Sequence, residues 1–95
     1  MAEGDKMKME SVEIYSDASN KAVIRHPGRA FPGVLVQGDT LHGMVASLRY
    51  VMGNGAGLDE ESAGRLREVA ERMEEMLAHY RSVLTANHIR LPFRD

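Results

Sequence analysis

Leu66, Val69, Ala70, Met73, Leu77, Tyr80 and Leu84 recur at intervals of three and four residues, which makes one uninterrupted apolar stripe on a single helix. Asp59 stands where the first free amides need a short acceptor, with Glu60 and Glu61 next to it at the positive helix end. Leu58 can staple onto Ala63, and Asn87 closes the element. Such a helix runs to roughly 27 residues and, at 1.5 Å each, about 40 Å. Glu61 with Arg65 and Glu68 with Arg72, four apart, are favourable pairs on its solvent side. A helix of this length overhangs whatever the rest of the chain can build, because a six-residue strand spans only about 20 Å. The overhanging apolar stripe needs a cover, either the closing "HIRLPFRD" folded back or a second copy of the chain. The expectation is a homodimer through this helix. Ile89, Leu91 and Phe93 alternate, so the tail can also add a strand, which Pro92 confines to a sheet edge.

Upstream, the periodicity changes from helical to two-residue. "SVEIYS" sets Val12 and Ile14 on one face and Glu13 and Tyr15 on the other, the pattern of a half-buried strand. "SDASN" supplies turn residues and "KAVIRH" a second strand, so the pair reads as an antiparallel hairpin. After "PGRAFPG" the β-branched "VLVQ" forms a third strand ending at Gly38. Three short strands with no room for crossovers make an antiparallel meander with one buried face. Asp39 or Thr40 is then suited to cap a helix. Its stripe is Leu41, Met44, Val45, Leu48, Val51 and Met52, and Gly53 ends it before the flexible break "GNGAG". The predicted fold is α+β: a three-stranded antiparallel meander followed by two α-helices, βββαα, the second helix long. Residues 1–10 show no period and are expected to be a mobile tail, with residues 11–95 forming one domain.

Composition narrows the function classes. The chain has no cysteine, which excludes disulfides, thiolate catalysis and cysteine-type zinc sites. A formal charge of −2 gives no general drive toward nucleic acid or anionic lipid, so a nucleic-acid partner is not expected. There is no apolar run of membrane-spanning or secretory length, which makes a cytoplasmic location the default expectation and a membrane partner an unexpected one.

Candidate sites fall into two groups. Arg25, His26, Arg29 and Phe31 gather around two proline-glycine turns, where guanidiniums and an imidazole can take a carboxylate or phosphate and Phe31 can stack on a ring. The bland reading is a tight connection with solvated arginines. On the long helix, Glu60, Glu61, Glu68, Glu71, Glu74 and Glu75 outnumber Arg65, Arg67 and Arg72, and Glu68, Glu71 and Glu75 are the candidate steering charges for a basic partner. No two of the four histidines stand four apart on one element, so no metal site is expected. Asp39 and His42 lie one turn apart, but the aspartate has a capping role and no hydroxyl nucleophile is presented. "GNGAG" lacks the lysine and hydroxyl of a phosphate loop. Neither an enzyme nor a bound cofactor is expected.

"FPGVLVQGDTLHGMVASL", Phe31 to Leu48, resembles the centre of HicB-type antitoxins, in which a proline-glycine turn leads into a strand, a Gln-Gly-Asp-Thr/Ser turn and an amphipathic helix. The resemblance implies a reduced ribonuclease H-like sheet; in those antitoxins a DNA-binding segment usually follows, whereas here a long acidic-faced helix does. The wider pattern from Val12 to Phe93, with its closing "LPF", is similar to a family of small uncharacterised bacterial proteins, which implies a bacterial origin. The function expected from these readings is that of a protein-binding module, an antitoxin- or immunity-type inhibitor of another bacterial protein. The alternative is a small anionic-ligand or nucleotide-binding module that uses the 25–31 loop.

Overall fold

The computed structural model of the chain describes residues 7–54 and 57–94. Most of the expected N-terminal tail, residues 1–6, and the centre of the "GNGAG" break, Gly55 and Ala56, lie outside the described residues. The elements follow the predicted order: β1 Glu13–Ser16, β2 Ala22–Arg25, β3 Gly33–Leu35, α1 Gly38–Gly53 and α2 Glu60–Ala86. The sheet is an antiparallel meander in the order β1-β2-β3, so the fold is α+β with the second helix the longer.

Local chemistry accounts for the connections. Between β1 and β2, the amide of Lys21 donates to the Ala18 carbonyl at 3.1 Å, and Asn20 takes φ of 61°, a left-handed conformation that asparagine tolerates. Tyr15 is the extra residue of a bulge, because Ile14 faces Ile24 while Ser16 faces Val23. The β2–β3 link begins with a tight turn: the Arg29 amide donates to the His26 carbonyl at 3.1 Å, Pro27 presets its own φ, and Gly28 supplies φ of 87°. Asp59 caps α2, its carboxylate accepting from the Ser62 amide at 2.7 Å, and that bond holds its pKa below the usual value. At the other end Asn87 is the C-cap and His88 takes φ of 58°. The amides of His88 and Ile89 donate to the carbonyls of Thr85 and Leu84, the paired bonds of a Schellman ending.

Three expectations need correction. First, the sheet has no well-buried face. Ile14, Val34 and Leu35 are all exposed, and among the described residues no strand packs broadly on a helix. Only Val36 and Gln37 separate β3 from α1, so the helices run out from the end of the sheet and bury their apolar sides in each other. The seam between them is Val45 from α1 against Ala70 and Leu77 from α2. Second, α1 starts earlier than its expected cap. Gln37 holds the cap position without a side-chain bond, and the Asp39 carboxylate instead accepts from the neighbouring Thr40 amide at 2.8 Å inside the first turn. There it still favours the positive helix end. Third, the C-terminal tail is not a strand. Phe93 stacks on His42 with ring centroids 4.2 Å apart, lies 6.3 Å from Tyr80, and has the Arg81 guanidinium 5.4 Å from its centroid. An aromatic ring gains more from that cation and two rings than from an open sheet edge.

The outcome is an elongated molecule, 48 × 29 × 26 Å, with a radius of gyration of 16.1 Å. A compact domain of this length has about 12.4 Å. Folding the tail onto Tyr80 and Arg81 covers one end of α2, α1 covers Ala70 and Leu77, and the side that carries Val69 and Met76 stays open.

Candidate functional site

Arg25 ends β2 directly opposite Glu13 on β1. Its Nε and Nη2 donate to the two Glu13 carboxylate oxygens at 2.7 and 2.6 Å, and its Nη1 donates to the Arg29 carbonyl at 3.1 Å. The Tyr15 hydroxyl donates to the same carboxylate at 2.5 Å. Hydrogen bonds from Arg25 first, and from Tyr15 second, lower the Glu13 pKa to about 2, while the carboxylate raises that of Arg25. A two-pronged guanidinium clamp on an exposed carboxylate ties the sheet edge to the turn that follows it.

His26, Arg29 and Phe31 lie on the other side of this clamp. Together with Ile24, Val34 and Leu35 they line an open groove of about 350 Å³. His26 Nδ1 is 2.7 Å from the Pro27 carbonyl, which can only accept, so this nitrogen donates. The Arg29 side chain has no hydrogen-bond or ion-pair partner among the described residues. Phe31 is 82% exposed, the most solvent-facing aromatic ring in the described chain. The structure therefore divides the four residues singled out in the sequence: three share a groove, and Arg25 serves as the brace behind it.

The acidic candidates also divide. Glu68, Glu71 and Glu75 are exposed on the outer face of α2, with Glu68 3.6 Å from Arg72. Glu74 is drawn inward to an ion pair with Arg49 of α1 and does not belong to that face. What the sequence reading missed is a second apolar flank on the helix pair, where Met44, Leu48, Val69 and Met73 line an open groove of about 580 Å³. The available signal was width: Val69, Met73, Met76 and Tyr80 form a second row beside Leu66, Ala70, Leu77 and Leu84, wider than one seam requires.

The Glu13 clamp has a definite acid signature. A carboxylate whose folded pKa is depressed stabilises the fold above its unfolded value and loses that contribution as pH falls through the folded one. The contribution from Glu13 is therefore complete above about 4.5 and fades toward about 2. Melting temperatures of Glu13→Gln measured from pH 7 to pH 2 should fall less steeply than those of the wild type in that window. Parallel curves would show that the clamp contributes nothing in solution.

Among the described residues no three histidine, aspartate or glutamate side chains converge as metal ligands, and no helix is long and apolar enough to cross a membrane. The site's features are a braced turn, an exposed aromatic beside a guanidinium that has no partner among the described residues, and an acidic helix face. No curated protein and no solved structure matches the chain. A family model does match residues 7–93, and the chain belongs to that family, a family of unknown function (DUF6959).

Proposed function

We propose that this chain is a protein-binding module, an antitoxin- or immunity-type inhibitor of another bacterial protein, acting in the cytoplasm as a homodimer through α2 and without catalysis of its own. The observation that carries the reading is Phe31, 82% exposed two residues after a turn that Pro27, Gly28 and the bond from Arg25 to the Arg29 carbonyl brace. Exposed aromatic and arginine side chains on a rigid support are the usual anchors of protein interfaces, since little conformational freedom is lost when they dock. Exposed Val34 and Leu35 extend the patch. Glu68, Glu71 and Glu75 supply a negative field that speeds encounter with a basic partner. The antitoxin-like run from Phe31 to Leu48 points the same way. The competing reading, an anion held by Arg25, His26 and Arg29, loses one guanidinium to Glu13.

Affinity purification of the tagged chain from its native host, with mass spectrometry, supplies the partner for titration. Phe31→Ala should weaken binding about 30-fold, which corresponds to about 2 kcal/mol. The double variant Glu71→Lys/Glu75→Lys should slow association and flatten its salt dependence. Binding untouched by the Phe31, Arg29 and glutamate variants would overturn the reading. A thermal shift with a phosphorylated or carboxylate metabolite, abolished by Arg29→Ala, would replace it with the anion-binding one.

A further inference from the structure

The two flanks of the helix seam differ in chemistry. On one side, Arg49 pairs with Glu74, and His42 and Arg81 lie against Phe93. The other side carries Met44, Leu48 and Val51 from α1 and Val69, Met73 and Met76 from α2, positions that helical geometry places in two facing rows. Met44, Val51, Val69 and Met76 are each between 47% and 54% exposed, and no charged side chain lines the groove between the rows. An apolar flank of this width is not a surface that a lone protein leaves in water.

The exposed area is larger than that of a compact monomer. The chain exposes 7796 Å² at 10.5 kDa, whereas a compact monomer of that mass exposes about 5,400 Å². The excess is shared between the open sheet, where Ile14, Val34 and Leu35 are exposed, and the helix flank, where Met44, Val51, Val69 and Met76 are. A stable dimer buries about 800 Å² per partner. The charges along the outer edge of the same flank alternate in sign: Glu61, Arg65, Glu68 and Arg72, with Glu61–Arg65 and Glu68–Arg72 paired at 3.2 and 3.6 Å. An edge of alternating sign complements an antiparallel copy of itself better than it complements a uniformly acidic or basic surface.

Building on the homodimer reading above, we propose that a second copy of this chain seats its Met44, Leu48, Val51, Val69, Met73 and Met76 flank on the same flank of the first. Two α1–α2 pairs then close into an antiparallel four-helix bundle about a two-fold axis. The methionines suit such a joint, because unbranched thioethers adapt to an opposing surface without strain. The bundle leaves the Phe31 groove and the outward Glu71 and Glu75 uncovered, so the dimer displays each of them twice.

Size-exclusion chromatography with light scattering on the chain alone tests this without any partner, so its result is independent of whether an inhibited protein is ever found. The expected mass is twice 10.5 kDa throughout the micromolar range. Val69→Glu and Met76→Glu should each give a monomer with a retained helical circular-dichroism spectrum, the dissociation constant rising at least ~100-fold for a charge buried without a partner. Should either glutamate variant fail to fold, single-cysteine variants decide the matter, since the chain has no cysteine of its own. A short bismaleimide should then join Val69→Cys chains, whose cysteine lies beside the two-fold axis, into dimers far more efficiently than Glu71→Cys chains, whose cysteine lies on the outer face. A wild-type monomer across the micromolar range overturns the proposal. So does a dimer cross-linked no better through position 69 than through position 71.

Discussion

Replacing Leu77 by alanine is expected to cost about 3 kcal/mol and to lower the melting temperature by about 15 °C. Leu77 is the most deeply buried apolar side chain described, 3% exposed, and it closes the seam with Val45 and Ala70. Those three are the only buried apolar side chains among the described residues. A chain of this length has a total stability near the low end of about 5–15 kcal/mol, so one truncated leucine removes more than half of it. The seam is too small to relax around the loss, because Ala70 offers no side chain to move into the space. Urea titration should show a lower midpoint with an unchanged slope, the sign of a weaker fold and not of a changed unfolded state. Tyr50→Ala, at a side chain 71% exposed and outside both the seam and the open flank, should cost far less. If both substitutions cost the same small amount, the helix pair is not held by the seam described here.

The contrast between those two positions also shows where the sequence was informative. The α2 stripe, its Asp59 cap and its Asn87 end were legible because each follows from neighbours within four residues. The strands were legible as strands, but alternation reveals only which side chains share a face, not what faces them. Ile14 and Ile24 do share one, yet it stays largely open because the helices pack on each other. The same limit applies to Ile89, Leu91 and Phe93, whose two-residue period imitates an edge strand while Phe93 is drawn to His42, Tyr80 and Arg81 on elements far away in sequence. In the candidate site, the proline and glycine of the turn were readable, and Arg25 was not. Its partner Glu13 is fixed by the pairing of β1 with β2, which includes a bulge that no local pattern announces. Glu74 left the acidic set for the same kind of reason, since Arg49 reaches it from the other helix.

Gly38 connects the "QGDTL" stretch to this packing and yields the second large effect. The first residue of α1, it is buried, and a Cβ built on it would lie 2.1 Å from the Tyr80 ring. Its role is close approach and not unusual backbone geometry, since its φ is not among the positive ones. Gly38→Ala should therefore destabilise the chain by about 2 kcal/mol: overpacking costs about 1–3 kcal/mol, and the gain in helix propensity, at most about 1 kcal/mol, is smaller still at a first-turn position. Tyr80 cannot yield freely, because its ring lies beside Phe93, itself held by His42 and Arg81. A double-mutant cycle separates the steric cost from any other effect. In a Tyr80→Ala background the same glycine substitution should be nearly neutral, and the coupling energy should equal the penalty seen in the wild type. An undiminished penalty in that background would place the constraint in the backbone of the β3–α1 junction instead. A neutral Gly38→Ala in the wild type would mean that α1 does not start beneath Tyr80, and the tail's anchorage on the helix pair would fall with it.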